Sequence, residues 1–365
     1  MIYFDSGATT LQKPPAVAEA FRYAMAHFAS PGRGGHAPAM AAADAVYACR
    51  EKAAALFDAQ PEQIVFTMNA THALNIAIRT LVRPGDRVVI SGFEHNAVTR
   101  PLHYLGAKTA VAGTRLFDPA DTLEAFSWLL TPETKAAVCT HVSNVFGYIL
   151  PLAQIAALCR ARGIPLIVDA SQSAGILPVS LRGLGAAFIA MPGHKGLYGP
   201  QGTGMLVCGR MPEPLMQGGS GSQSALAEMP DFLPDAAEAG THNVSGIHAL
   251  AAGLDFVQSL GLGTILHHEA HLRRLLARGL REIPGALCFT GGAQSGVVSF
   301  LYGAEDCEQT AQRLCESGIA VRAGLHCAPL AHRSAGTAQS GTVRVSFSVF
   351  NREEEVAAFL RAVKK

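Results

Sequence analysis

The stretch Met191-Pro-Gly-His-Lys-Gly-Leu-Tyr-Gly-Pro-Gln-Gly-Thr-Gly204 decides the reading of the fold. It joins two short apolar runs, Ala187–Met191 and Thr203–Cys208. Runs of that length bounded by Gly and Pro predict buried strands. A glycine-bounded loop at a strand's C-terminal end is where open α/β sheets place ligands. Lys195 sits in that loop, and a desolvated lysine can lose its proton and form a Schiff base. Taken alone, Lys195 reads as an ordinary surface lysine. The glycines make no phosphate loop: GxxxxGK[ST] is absent, and Gly199–Gly204 does not match GxGxxG.

One βα unit upstream, Ile167-Val-Asp-Ala-Ser-Gln172 ends another apolar run. Asp169 lies 26 positions before Lys195. A carboxylate there can hold a pyridinium nitrogen protonated, as the electron sink of pyridoxal phosphate (PLP) requires. Gln172 is placed to reach the ring's phenolic oxygen. Alone, a strand-end Asp is an ordinary helix cap. Further upstream, Val65-Phe-Thr-Met-Asn-Ala-Thr-His-Ala-Leu74 runs from a strand into a helix beginning near Thr71. The free amides and macrodipole at that helix N-terminus suit a phosphate.

The same grammar covers most of the chain. Strands are predicted at Arg87–Ser91, Ala136–Thr140 and Pro165–Asp169 as well, and helices at Asp44–Phe57, Thr71–Leu81, Leu152–Arg162, Ile247–Leu260 and Ile265–Arg281. Alternating strands and helices imply βαβ units and a mostly parallel sheet. From about Leu262 the pattern becomes strand Gly296–Tyr302, helix Asp306–Ser317, strand Thr342–Ser348 and helix Glu353–Val363, which suits a smaller α+β domain. No Pro/Gly/Ser hinge separates the halves, so a helical linker is expected.

With 365 residues, two or more folding units are expected. Lys+Arg (29) nearly balances Asp+Glu (28), so no charge field argues for nucleic acid or an anionic membrane. Charged residues are 16% and apolar residues 49%, which leaves room for a subunit interface. The longest stretch without Asp, Glu, Lys or Arg, Ala136–Cys159, contains His141, Ser143, Asn144 and Gln154, and reads as core rather than a membrane span. MIYFDSGATT has neither the basic nor the apolar region of a signal peptide. The 8 cysteines form no CxxC pair, so reduced thiols in a cytoplasm are expected. His267, His268 and His271 read as a solvated helix face, because HHEAH is not HExxH; no metal site is expected.

The lysine, aspartate and helix-start motifs together resemble the class V aminotransferase group of PLP enzymes, specifically cysteine desulfurases of the SufS and selenocysteine-lyase type. Further motifs follow in that family's order. Tyr3-Phe-Asp-Ser-Gly-Ala-Thr-Thr and Gly32-Arg-Gly-Gly-His36 resemble its opening and active-site loops. Glu94-His95-Asn96 resembles the motif whose histidine stacks on the cofactor ring, and Ser143-Asn144-Val-Phe-Gly147 the turn whose asparagine lies near the ring oxygen. Glu238-Ala-Gly-Thr-His-Asn243 resembles the motif whose threonine reaches the phosphate of the neighbouring subunit's cofactor. Arg322-Ala-Gly-Leu-His-Cys-Ala328 resembles the loop carrying the sulfur-accepting cysteine, and Arg344 matches the arginine that pairs with the substrate carboxylate. Departures are Pro192 in place of a small hydroxyl residue, Asn69-Ala70 for Gly-Thr, an extra Gly196, Leu325 for a second histidine and His242 for a proline.

The resemblance implies a PLP-dependent transferase fold of type I, an α/β class with a mostly parallel seven-stranded sheet in the large domain. It implies a large domain over 15–255 and a small one from 1–14 and 256–365. It also implies a cytoplasmic homodimer with shared sites. Its implied catalytic residues are Lys195, Cys327 and His95. The cofactor falls to Ala70, Thr71, His95, Asn144, Asp169, Gln172, His194, Lys195 and Thr241. The substrate falls to Arg344, Arg322, His36 and Asn144. The implied reaction converts L-cysteine to L-alanine with the sulfur left on Cys327, for passage to a possible acceptor protein. Neighbouring Arg322 and His326 are expected to favour the Cys327 thiolate, on a mobile loop freed by Gly324. L-Selenocysteine cleavage, or transamination or β-elimination of another small amino acid, is the alternative on the same cofactor; a non-catalytic sulfur-relay subunit is the alternative from another class.

Overall fold

The computed structural model describes residues 1–31 and 34–364. Gly32 and Arg33 of the Gly32–His36 motif lie outside the described residues. The apolar runs assemble one seven-stranded sheet, in the order Ile64–Thr67, Gly204–Cys208, Phe188–Pro192, Leu166–Asp169, Thr134–Thr140, Arg87–Ser91 and Lys108–Ala112. Only Gly204–Cys208 runs against the others. The loop carrying Lys195 is thus the return of an antiparallel pair, with Pro192 in register with Gly204.

These strands are apolar on both faces, and the period of two sorts each run into two cores. Leu166 and Val168 join one cluster and Ile167 the other; Ile189 and Met191 join the first, Phe188 and Ala190 the second. Helices cover both faces, so the polar residues of these segments gather at the strand ends.

The C-terminal part builds a four-stranded antiparallel sheet, Arg322–Gly324, Thr342–Ser346, Val297–Tyr302 and Ala286–Phe289. Its own apolar cluster includes Leu272, Leu276, Phe300, Leu314, Val343 and Phe359. The chain start belongs here too: Ile2–Tyr3 pairs in parallel with Ile319–Ala320, and Phe4 is buried in that cluster. The connection is helical, Val244–Leu260 followed by Leu262–Arg281, with an 81° bend at Gly261. Gly261 takes the left-handed φ of 80° that makes the bend possible. Among the described residues no single helix is long and apolar enough to cross a membrane.

Five described strands fall outside the sequence expectation, among them the two-residue pair Ile2–Tyr3 and Ile319–Ala320. Lys108–Ala112 is a sheet edge with mostly exposed side chains, so it lacks an apolar run. Ala286–Phe289 is likewise a half-buried edge, and Arg322–Gly324 is short, charged and glycine-ended. The helix expected from Asp44 begins at Ala37, with Pro38 in its first turn.

Candidate active site

The C-terminal strand ends and the helix starts beside them enclose a pocket of about 110 Å³. Ala70, Thr71, His95, Asn144, Asp169, Gln172, His194 and Lys195 all line it, as do Asn69 and Pro192. Burial first, and Arg344 next, bring the Lys195 amine down from 10.5 to about 8. A large share is therefore uncharged and nucleophilic at mildly alkaline pH. Asp169 is 3% exposed and its Oδ1 accepts the Ser171 N–H at 2.9 Å. Gln172 donates one amide N–H to the Gly7 carbonyl, 2.9 Å.

Both pocket histidines are held neutral. Burial lowers His95 to about 4, and its Nδ1 accepts the Ala97 N–H at 3.0 Å as the helix cap. That fixes the proton on Nε2. Burial, with Lys195 and Lys13 adding, lowers His194 to about 4, and its Nδ1 lies 3.0 Å from Thr9 Oγ1. Helix Ala70–Leu81 starts at the opposite wall. Asn69 Oδ1 accepts the His72 N–H at 2.9 Å, so this departure serves as an N-cap. The cap uses the third amide and leaves those of Ala70 and Thr71 facing the pocket's end of the dipole. A buried amine, a strand-end carboxylate, two neutral imidazoles and free helix amides form a donor set that fits PLP.

The N-terminal segment clamps the lysine loop. The His194 carbonyl accepts from Thr10 N, Thr10 Oγ1 and Lys13 Nζ at 3.2, 3.1 and 3.0 Å. The extra Gly196 has a steric reason. A Cβ there would lie 2.5 Å from the Ala174 carbonyl oxygen, so only glycine allows this backbone approach.

Arg344 is 1% exposed on strand Thr342–Ser346. Its Nη1 donates to the Asn144 carbonyl at 3.0 Å and its Nη2 to Asp5 Oδ1 at 2.5 Å, while its buried Nε has no partner. Arg322 stands directly opposite on the neighbouring strand. Like charges facing each other across strands repel, so the pair is suited to an anion.

Cys327 lies just beyond the pocket and is exposed. Two hydrogen bonds hold its loop in this conformation. Asn144 Nδ2 donates to the His326 carbonyl at 2.8 Å, and the Asn96 N–H donates to the Cys327 carbonyl at 2.7 Å. His326 and Cys327 both adopt left-handed φ, 50° and 55°. Both ring nitrogens of His326 meet partners other than Cys327. Its Nε2 lies 3.3 Å from the Arg322 carbonyl and its Nδ1 3.5 Å from His332 Nε2. His332 Nδ1 in turn lies 2.8 Å from Thr337 Oγ1. A carbonyl only accepts, so the proton sits on His326 Nε2, and the chain runs Thr337 to His332 to His326 to Arg322. Burial foremost, then Arg344, lowers His326 to about 2, and burial lowers His332 to about 4; both rings are neutral.

Thr241 and His36 are not brought to this pocket. Thr241 lines a separate cavity with His72, Gly202 and His242, and His36 is exposed at the start of helix Ala37–Phe57. The Thr241 loop is anchored by the buried Arg50, which bonds both Glu238 carboxylate oxygens and stacks 4.6 Å over Phe66. His242 contacts the same carboxylate at 3.3 Å. Sequence reasoning passed over Arg50, Lys13, His332 and Thr337, whose partners are distant in sequence or carry no motif of their own.

The aminotransferase class-V family model matches residues 2–359. A probable cysteine desulfurase of Methanothermobacter thermautotrophicus is 34% identical, covering 97% of this chain and 92% of the relative. That of Xylella fastidiosa is 34% identical over 100% of the chain and 90% of the relative. A probable cysteine desulfurase of Mycolicibacterium paratuberculosis, also 34% identical, is longer, and this chain spans 55% of it. In structure, the chain is similar to the apo cysteine desulfurase of Thermococcus onnurineus NA1, with a TM-score of 0.89, 32% identity and coverage of 100% and 94%. It is also similar to the cysteine desulfurase CsdA of Escherichia coli, with a TM-score of 0.87, 28% identity and coverage of 99% and 93%. With a lysine amine buried just past a strand end, a carboxylate one unit upstream and an exposed cysteine beside the pocket, the chain belongs to the class V aminotransferase family, among its cysteine desulfurase-like, PLP-dependent enzymes.

Proposed function

We propose that the protein desulfurates L-cysteine to L-alanine and stores the sulfur as a persulfide on Cys327. One observation carries this reading: Cys327 is exposed beside the Lys195 pocket, and Thr71, His95 and Ala97 line both that pocket and the groove holding Cys327.

PLP, held at Lys195, would supply the electron sink for breaking the substrate's Cα–H and Cβ–S bonds. Asp169 would hold the ring nitrogen, the Ala70 and Thr71 amides and His194 would hold the phosphate, and neutral His95, Gln172 and Asn144 would supply the remaining contacts to the ring. Arg344, with Arg322 opposite, takes the substrate carboxylate, which relieves the repulsion between them. The Lys195 amine moves the proton at Cα. Cys327 Sγ bonds the substrate sulfur as the Cβ–S bond breaks, and Cβ gains a proton to become the alanine methyl. L-Cysteine and one thiol thus yield L-alanine and one persulfide.

Thr241 and His36 are assigned to the site of a second copy in a homodimer. The distance of Thr241 from its own chain's pocket and the Arg50 anchor behind it support that assignment. The separate apolar clusters support a large domain over 15–255 and a small one from 1–14 and 256–365.

Mass spectrometry after L-cysteine addition should find one added sulfur on the peptide containing Cys327, with alanine released. Cys327→Ser should keep the cofactor absorbance and slow alanine release by about 100-fold, the scale lost when a positioned nucleophile is removed. If the wild-type peptide stays unmodified and the serine variant is equally fast, the reading fails, and β-elimination or transamination takes its place.

A further inference from the structure

Cys327 lines a groove of about 410 Å³ that adjoins the Lys195 pocket through Thr71, His95 and Ala97 and that the chemistry above leaves without a task. Its walls are helices Ala70–Leu81 and Asn96–Tyr104. The first contributes Thr71 at the inner end and Arg79 eight residues on; the second contributes Asn96, Arg100 and Tyr104 at the same four-residue step. Cys327 closes the inner end, its carbonyl bonded to the Asn96 N–H. Eight helical residues span about 12 Å, longer than a single amino-acid thiol.

The groove's electrostatics are one-sided. No carboxylate lines it. Among the described residues neither Arg79 nor Arg100 has an acidic side chain at ion-pair distance, whereas Arg83, Arg182 and Arg313 are each paired. Arg79 lies 5.4 Å over the ring of Tyr104, which is 77% exposed at the outer end. The whole chain carries a net charge of only +1, so this is a local feature.

We infer that this groove docks the protein that takes sulfur from Cys327, and that the segment carrying its acceptor cysteine is acidic. The inference rests on the persulfide reading above. In the transfer, the acceptor thiolate attacks the outer sulfur of the Cys327 persulfide. The bond between that sulfur and Sγ breaks, a bond to the acceptor sulfur forms, and Cys327 leaves as thiolate, taking up the acceptor's proton. Nothing is oxidised or reduced overall. Arg79 and Arg100 draw an acidic segment along the groove toward Cys327, and Tyr104 supplies a flat apolar contact at its entrance.

The test uses the holoenzyme with Cys315→Ser, which removes the other exposed thiol among the described residues. Cys327 is activated with 2,2′-dithiodipyridine, an uncharged reagent, so loading does not depend on L-cysteine turnover. Two synthetic single-cysteine peptides of equal length, one rich in Asp and Glu and one in Lys, are compared by the rate of thiopyridone release. Each rate is normalised to that peptide's reaction with a small uncharged pyridyl disulfide. The acidic peptide should react about tenfold or more faster, within the range of electrostatic steering, and the gap should shrink with salt. In Arg79→Glu/Arg100→Glu the preference should reverse, while alanine release with dithiothreitol as acceptor stays unchanged. Equal normalised rates, a preference that survives the charge reversal, or N-acetylcysteine matching the acidic peptide would each overturn the inference. Failure of the desulfurase reading would show separately, as absent alanine.

Discussion

In the proposed reaction most of the chemistry turns on Lys195. Burial lowers its amine to about 8. Capture of PLP needs the uncharged amine. The rate at which apoprotein takes up PLP should therefore rise with pH and level off above about 8, rather than near the 10.5 of a solvated lysine. Borohydride should trap the cofactor on Lys195, and Lys195→Ala should abolish trapping; a labelled peptide with another lysine would refute the assignment. Arg344 makes a second residue-scale case. Arg344→Lys keeps a charge for Asp5 but loses the planar fork. KM for L-cysteine should rise by about 10- to 100-fold with a smaller change in kcat, since the lost contact is to the carboxylate in both ground and transition states. An unchanged KM would move the carboxylate elsewhere.

At the scale of elements, the Cys327 loop is held by what lies under it. Two consecutive non-glycine residues with left-handed φ are strained and persist only where surroundings hold them. The chain from Thr337 through His332 to His326 ties the loop to the strand Arg322–Gly324 and the helix Pro329–Ser334. His332→Phe keeps ring volume but removes the donor to His326 Nδ1. Persulfide formation should fall about tenfold while the cofactor spectrum stays intact, because small misplacements of a reacting group are costly. The alkylation rate of Cys327 should shift as well. His332→Gln, which restores a donor, should recover part of the loss. Equal behaviour of the Phe variant and wild type would show that the hydrogen-bonded chain does not position the loop.

Across the whole molecule, stability carries a buried acid. Glu269 is 3% exposed, and burial raises its carboxyl from 4.5 to about 8. Its folded value exceeds the unfolded one, so the folded state holds the proton longer. The stability this contributes is complete below about pH 4, falls as pH rises, and is lost by about pH 8. Glu269→Gln should flatten that window and raise stability at pH 8 by on the order of 1–3 kcal/mol, read from thermal melts across pH. A melt profile parallel to wild type would mean Glu269 is not protonated in the fold. Oligomeric state belongs to this scale too. Sedimentation should find a dimer at micromolar concentration, and a fully active monomer would remove the shared-site assignment of Thr241.

The sequence by itself determined the local grammar. Doubly apolar strands, Asp169 at a strand end, Lys195 in the loop after a strand, and the helix start near Thr71 were all legible, because each depends on periodicity and turn chemistry within one βα unit. The edge strands Lys108–Ala112 and Arg322–Gly324 were not, since an edge needs no apolar alternation. Tertiary structure alone decided what meets across the chain. It paired Asp5 with Arg344, bonded Asn144 to the Cys327 loop, and turned His326 away from the cysteine it adjoins. It also aligned Arg79 and Arg100 along one groove. Those contacts join residues up to 339 positions apart. Their geometry follows from how two sheets and the segment before Pro15 pack together, and no local pattern encodes that packing.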